Sequence, residues 1–181
     1  MVLEPLYVAS DGVLHSSAVW HELQELRHRC LFTRRAARQY LGFVDDRLRK
    51  ARKALEVEGE LKAASKYLYH GMHKLAQLRS ILAGDEPRIY LPPDDGPESD
   101  RERIMRVRRC VCVNATGDAE LQGARAEMVL STELKAASGE LARLQQGAFD
   151  ALVESFPEDV DFESLDEWLL SVRARIHTQQ T

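Results

Sequence analysis

Residues 34–57, RRAARQYLGFVDDRLRKARKALEV, decide the fold. Ala37, Leu41, Val44, Leu48, Ala51 and Leu55 follow one another at alternating steps of four and three residues. That spacing turns one side of an α-helix toward a core and leaves the charged positions outside. Thr33 stands before the run, where a hydroxyl can accept a hydrogen bond from a free N–H of the first turn. Gly59 stands after it, and glycine takes the left-handed conformation that ends helices. The stretch therefore predicts a long helix that needs other helices to cover its apolar side.

The flanking sequence supplies them. A helix is expected from about Glu60 to Ala83, stopped by Gly84, with Leu61, Leu68, Met72, Leu75 and Leu82 on its apolar side. A second stripe on it, Lys66, His70, His73 and Gln77, also has helical spacing. Lys66 and Leu68 are separated by about 200° around the axis, so this polar stripe is expected to face solvent or a cleft. Upstream, Ser16 and Ser17 can cap a helix running to about Arg29, with Val19, Leu23 and Leu26 apolar. Downstream, Pro87, Pro92, Pro93, Pro97 and Asp94-Asp95-Gly96 mark a loop over 85–99. A short helix is expected over 100–109, and residues 109–113 read as strand or helix end. A turn at 114–117 leads into a helix over about 118–155, in which Gly123, Gly139 and Gly147 are weak points. After Pro157, Ser164-x-x-Glu167 reads as a capping box opening a last helix to about His177, with Leu165, Trp168, Leu169 and Val172 inward.

The N-terminal segment differs. Leu3, Leu6, Tyr7 and Val8, closed by Asp11-Gly12, read as a short strand. A lone strand must join a sheet supplied elsewhere or lie along the helices as an arm. The expected fold is thus mainly α, a helical bundle with a short N-terminal β-strand that would complete a partner sheet. Its divisions are an arm over 1–15, a helical domain over 16–113 and a C-terminal helical extension over 114–181.

Composition sets outer limits. The 181 residues are 44% hydrophobic, a globular fraction. No apolar run approaches the ~20 residues of a membrane span, and the start, MVLEPLYVAS, lacks a basic region and long apolar stretch. A cytoplasmic chain without a membrane partner is expected. Cys30, Cys110 and Cys112 lack the C-x-x-C spacing of zinc sites and read as small buried hydrophobes.

Net charge is −4, yet its distribution is uneven. Arg27–Lys53 holds ten Lys/Arg against Asp45 and Asp46, whereas Asp118–Glu167 holds thirteen acids against Arg125, Lys135 and Arg143. The first segment is a candidate RNA-facing surface, with Arg34, Arg35, Arg38, Arg49 and Lys50 as its contacts; the second would repel a polyanion. A solvated face is the competing reading of both.

Catalytic signatures are missing: there is no G-x-x-x-x-G-K-[ST], no G-x-S-x-G and no H-E-x-x-H. His70 and His73 share a helix face but lack an evident third metal ligand. Asp45-Asp46 lies on a helix and Asp94-Asp95 in a loop, neither of which is the rigid strand platform that two-metal phosphoryl transfer uses. No catalytic or metal residue is assigned. Lys66, His70 and His73 instead suit anion binding, since lysine supplies a point charge and imidazoles donate hydrogen bonds and gain charge in mild acid.

The order of segments then carries a resemblance. LEPLYVASDGVLHSS, HELQELRHRCLFTRRAARQYLGFVDDRLRK, KYLYHGMHKLAQLRSILAG and RERIMRVRRC, with FPEDVDFESLDEWLLSVR beyond, resemble the C-terminal half of predicted bacterial and phage nucleotidyltransferases of the DNA polymerase β superfamily. In that family a preceding half carries a Gly-Ser motif and a D-x-D pair, neither of which occurs here, and the helical half covers the nucleotide cleft. The resemblance matches Lys66 and His70 to a K-x-x-x-H helix, His73 to a following basic position that is often Arg, and Val107-Arg108 to an Ile-Arg pair. Arg47 and its neighbours depart from the family, which often has Gln there. The resemblance implies a nucleotide- or phosphate-contacting cover using Lys66, His70, His73 and Arg108. Magnesium and a nucleoside triphosphate would enter only with a separate catalytic subunit as partner. The alternative is a noncatalytic module that binds nucleic acid or another protein.

Overall fold

The computed structural model describes residues 17–31, 33–87, 91, 99–111 and 119–179. They form seven helices and, among the described residues, no strand: α1 (Ala18–Leu31), α2 (Arg34–Glu56), α3 (Leu61–Leu82), α4 (Asp100–Arg109), α5 (Ala119–Arg143), α6 (Phe149–Val153) and α7 (Phe162–Gln179). The bundle is as expected. The strand expected near residues 2–8 lies outside the described residues, as do the turn at 114–117 and most of the Pro-rich loop.

Helices α2 and α3 form the central antiparallel hairpin. Thr33 Oγ1 accepts a hydrogen bond from Ala36 N at 3.0 Å and is itself buried. At the other end Gly59 adopts φ +67°, and Glu60 N donates to Ala54 O at 2.8 Å, closing α2 before α3 begins. The predicted stripe of α2 is buried at Ala37, Val44, Leu48, Ala51 and Leu55, with Leu41 partly covered. It meets Ala64, Leu68, Met72 and Leu75 of α3.

Two more helices close this layer. Ile104 and Val107 of α4 and Leu130, Leu134, Ala137 and Leu141 of α5 complete the same core. Helix α5 is therefore part of the central core, packed on α2, α3 and α4. Buried Ser65 donates to Val107 O at 2.8 Å, fixing the end of α4 on α3. Arg103 and Arg106 of α4 both reach the buried Glu133 carboxylate on α5, at 2.8 Å each. Arg79 of α3 pairs with Asp100 and, at 3.0 Å, with Glu140. Glu133 and Glu140 of the acidic C-terminal half are thus matched by cations of this same chain.

Helix α5 does not run on to Ser155. Residues Leu144–Ala148 form a π-helical turn, in which Phe149 N donates to Leu144 O five residues back. Gly123 and Gly139, two suspected weak points, stay helical, and a β-carbon at either would meet open space. The extra residue of the π turn rotates α6 by about 100° relative to a regular continuation of α5. Phe149 and Val153 consequently point into a second apolar layer with Ala37, Leu78 and Leu82.

Other expectations need correction. Helix α7 begins before Ser164: Asp161 Oδ1 accepts from Ser164 N at 3.0 Å and Asp161 Oδ2 from Ser164 Oγ at 2.6 Å, so Asp161 is the cap. Val172 is buried as expected, but Leu169 is 43% exposed, because α7 meets the rest of the molecule along a narrow seam. In that seam Glu22 of α1 accepts from Trp168 Nε1 at 3.2 Å and from both terminal nitrogens of Arg175 at 2.6 Å. Gln77, placed by spacing on the outward stripe, is 1% exposed, since the second apolar layer and Lys74 cover that end of α3.

Candidate anion-binding site

The site is built on α3 because that helix holds no acid at all: no Asp or Glu occurs between Glu60 and Asp85. Its outward residues Lys66 and His70 are exposed and His73 half-buried. Helix α2 brings Arg47 beside them and α4 brings Arg108. The close approach of α2 and α3 depends on Gly71. A β-carbon there would lie 3.2 Å from both Arg47 Cβ and Leu48 Cδ2.

The charges around His70 define the electrostatics. Its pKa lies below the ordinary histidine value, first because of partial burial and then because Arg47, Lys66, His73 and Arg108 oppose its protonation. Every charged group that moves it is a cation. Protonation of His70 would be favoured by an anion seated among these groups.

Aromatic rings alternate with the cations. The Arg47 guanidinium carbon lies 4.7 Å from the Phe43 ring centroid and 5.8 Å from that of Tyr67. Lys74 Nζ lies 5.1 Å from the Tyr40 centroid, and the guanidinium carbon of Arg108 lies 6.0 Å from that of Tyr69. Tyr69 and His70 have centroids 4.4 Å apart, tilted by 38°. These distances fall within the range of cation–π attraction. Arg47 Nε is buried without a hydrogen-bond partner. Such an atom costs about 1–3 kcal/mol, which the two flanking rings partly offset. Lys74 donates to Gln77 Oε1 at 2.9 Å, and burial pushes its pKa down to about 8.

The structure brings Lys66, His70, His73 and Arg108 together, and adds Arg47, Lys74 and the rings. Arg47 is inconspicuous in the sequence because it sits inside a run of cations. Its i, i+4 relation to Phe43 is the signal that could have singled it out.

The other basic residues are differently placed. Arg34 Nε and Nη2 donate to Phe156 O at 2.9 Å and Glu154 O at 2.8 Å. Arg35 pairs with Asp159 at 2.8 Å and Arg38 with Glu158 at 3.0 Å. Arg34 N and Arg35 N donate to Pro157 O and Glu158 O, so this segment satisfies the open N-terminus of α2. Arg49 reaches Asp45 and Asp46, and Lys50 reaches Asp46 at 2.8 Å. The groove between α4 and α5 is lined by Arg103, Arg106, Met128, Thr132 and Glu133, with both arginines on Glu133.

Asp45 and Asp46 already neutralise neighbouring cations, and no group of three metal-ligating side chains occurs among the described residues. Cys110 is half-buried and donates to Val107 O at 3.0 Å. No helix among the described residues is long and apolar enough to cross a membrane. No protein-family model, curated protein or solved structure matches the chain.

Proposed function

We propose that this bundle is a phosphate-contacting module of nucleotidyltransferase type, which grips a nucleoside triphosphate with Lys66, His70, His73, Arg108 and Arg47. Any metal-dependent transfer would require carboxylates from a separate catalytic subunit or segment. The observation that carries the reading is the convergence of cations from α2, α3 and α4 around His70, on a helix without acids. The segment order that resembles the helical half of nucleotidyltransferases supports the choice of nucleotide. The bundle itself positions the anion and performs no bond-making step.

Thermal denaturation with nucleoside triphosphates, with and without magnesium, tests the proposal. A native-state ligand raises the melting temperature, by about 2.7 kcal/mol of stabilisation at a concentration one hundred times Kd. Lys66→Ala combined with His70→Ala should abolish the shift while leaving the unliganded melt nearly unchanged, since both side chains are exposed. Absence of any shift for the intact protein at low salt would sink the reading.

A further inference from the structure

The aromatic rings support a finer reading, which rests on the anion-binding function proposed above. We infer that the face formed by α2 and α3 takes single-stranded nucleic acid, with phosphates on its cations and bases against its rings and guanidinium planes.

The face is long enough for a short strand. From Lys66 to Lys74 the cations run about 12 Å along α3. A single strand places phosphates at spacings of about 3.4 Å along its stacked axis, so this track spans roughly three or four nucleotides.

Its composition favours bases as well as phosphates. The track pairs cations with rings, Lys74 with Tyr40, Arg47 with Phe43 and Tyr67, and Arg108 with Tyr69, while the His70 ring lies against Tyr69. Simple phosphate binding uses no aromatic surface. Stacking does, and it tolerates any base because every base has a π-face. A duplex hides those faces, whereas an unpaired strand presents them. All four rings are half-buried, and Tyr40, Tyr67 and Tyr69 rest partly on the apolar core, which holds them in place.

The other basic regions are less suited. Arg34, Arg35, Arg38, Arg49 and Lys50 are engaged with acids or carbonyls of this chain. Around His70 the shifting charges are all positive. The strand is therefore placed on the middle of α2 and α3, away from the N-terminus of α2.

Fluorescence anisotropy of the full chain with labelled oligouridylate and oligothymidylate of about ten nucleotides tests this. Competitors are a duplex, inorganic polyphosphate of similar length, and ATP. The single strands should bind more tightly than duplex or polyphosphate. Their log affinity should fall with log salt with a slope of about −2 to −3, as three or four phosphate contacts require. Tyr67→Leu and Phe43→Leu keep apolar bulk and lose the ring. Each should weaken oligonucleotide binding about tenfold and leave polyphosphate binding unchanged. Circular dichroism melts of both variants check folding. Equal binding of polyphosphate and strand, with neither variant selective, would overturn the nucleic-acid inference and leave the anion site standing. Equal binding of duplex would overturn it too. Failure of strand, polyphosphate and ATP alike would remove both readings.

Discussion

Gly71 on α3 lies directly against Arg47 on α2, with room for a hydrogen atom but not comfortably for a methyl group. This contact sets the distance between the central helices and thereby the height at which the Arg47 guanidinium, already beside Phe43 of its own helix, meets Tyr67 of α3. Gly71→Ala gains about 1 kcal/mol of helix propensity and meets overpacking of about 1–3 kcal/mol. We expect net destabilisation of about 1 kcal/mol together with weaker anion binding. Chemical denaturation and a binding titration on the same variant measure both, and a more stable variant with unchanged binding would contradict the close approach of the two helices.

His70 should report on the site through its own titration. Its depressed pKa means that the unfolded chain binds this proton more readily than the folded one. The stability associated with neutral His70 is therefore fully present above about pH 6.5 and is lost as pH falls through the lower folded value. Proton NMR should show a midpoint below the ordinary histidine value, moving upward when pyrophosphate is added. A midpoint indifferent to the anion would place the ligand elsewhere.

Lys74 should react unusually at mildly alkaline pH. Its pKa of about 8 leaves much of it as free amine where an ordinary lysine is protonated. Trace acetylation followed by mass spectrometry should give a pH–rate midpoint near that value for Lys74, whereas exposed lysines should show one near about 10.4. An ordinary profile would show that its ammonium is better solvated than its burial implies.

Glu133 should be the costliest acid to remove. It is 6% exposed and holds both Arg103 and Arg106. Glu133→Ala leaves Arg103, itself mostly covered, without its counter-charge, and should cost about 3 kcal/mol in urea denaturation. A loss below about 1 kcal/mol, typical of exposed pairs, would mean that water reaches the arginines easily.

Charge reversal at Arg35 and Arg38 should have a small structural effect and none on anion binding. Their partners Asp159 and Glu158 are exposed or half-exposed, so each pair contributes about 0.2–1 kcal/mol. Comparing oligonucleotide affinity of Arg35→Glu/Arg38→Glu with the intact chain checks this. A large loss of affinity would move the interface to the N-terminus of α2.

The hairpin was legible because its signals are local. Thr33, the stripe from Ala37 to Leu55, and Gly59 each act within one or two turns, and each does in the structure what its residue type implies. The same holds for Ser99, whose hydroxyl accepts from Glu102 N at 3.3 Å to open α4. The features that could not be read depend on neighbours distant in the chain. Gln77 has outward spacing, yet it is buried because the end of α3 is covered from more than one side. Arg47 was one cation among ten between Arg27 and Lys53 until Tyr67 from the next helix stood beside it. Asp161 and Ser164 each suit a helix start, and only the geometry assigns the cap. The grouping of Lys66, His70 and His73 came from helical spacing, and Arg108 joined it through the resemblance; the rings among them came from packing.

The π turn at Leu144–Ala148 has a consequence for the tolerance of the chain to changes in length. On one side of it α5 is locked to the central core; on the other Phe149 and Val153 belong to the second layer. Removing a single residue from Gln145 or Gln146 would restore ordinary helical winding and leave Phe149 facing the same layer, because the turn holds one residue more than a regular helix. The central core, and with it the cations of α3, would keep their places. Insertions and deletions of one residue therefore have a natural point of absorption here, where the fold already carries one residue more than a regular helix holds.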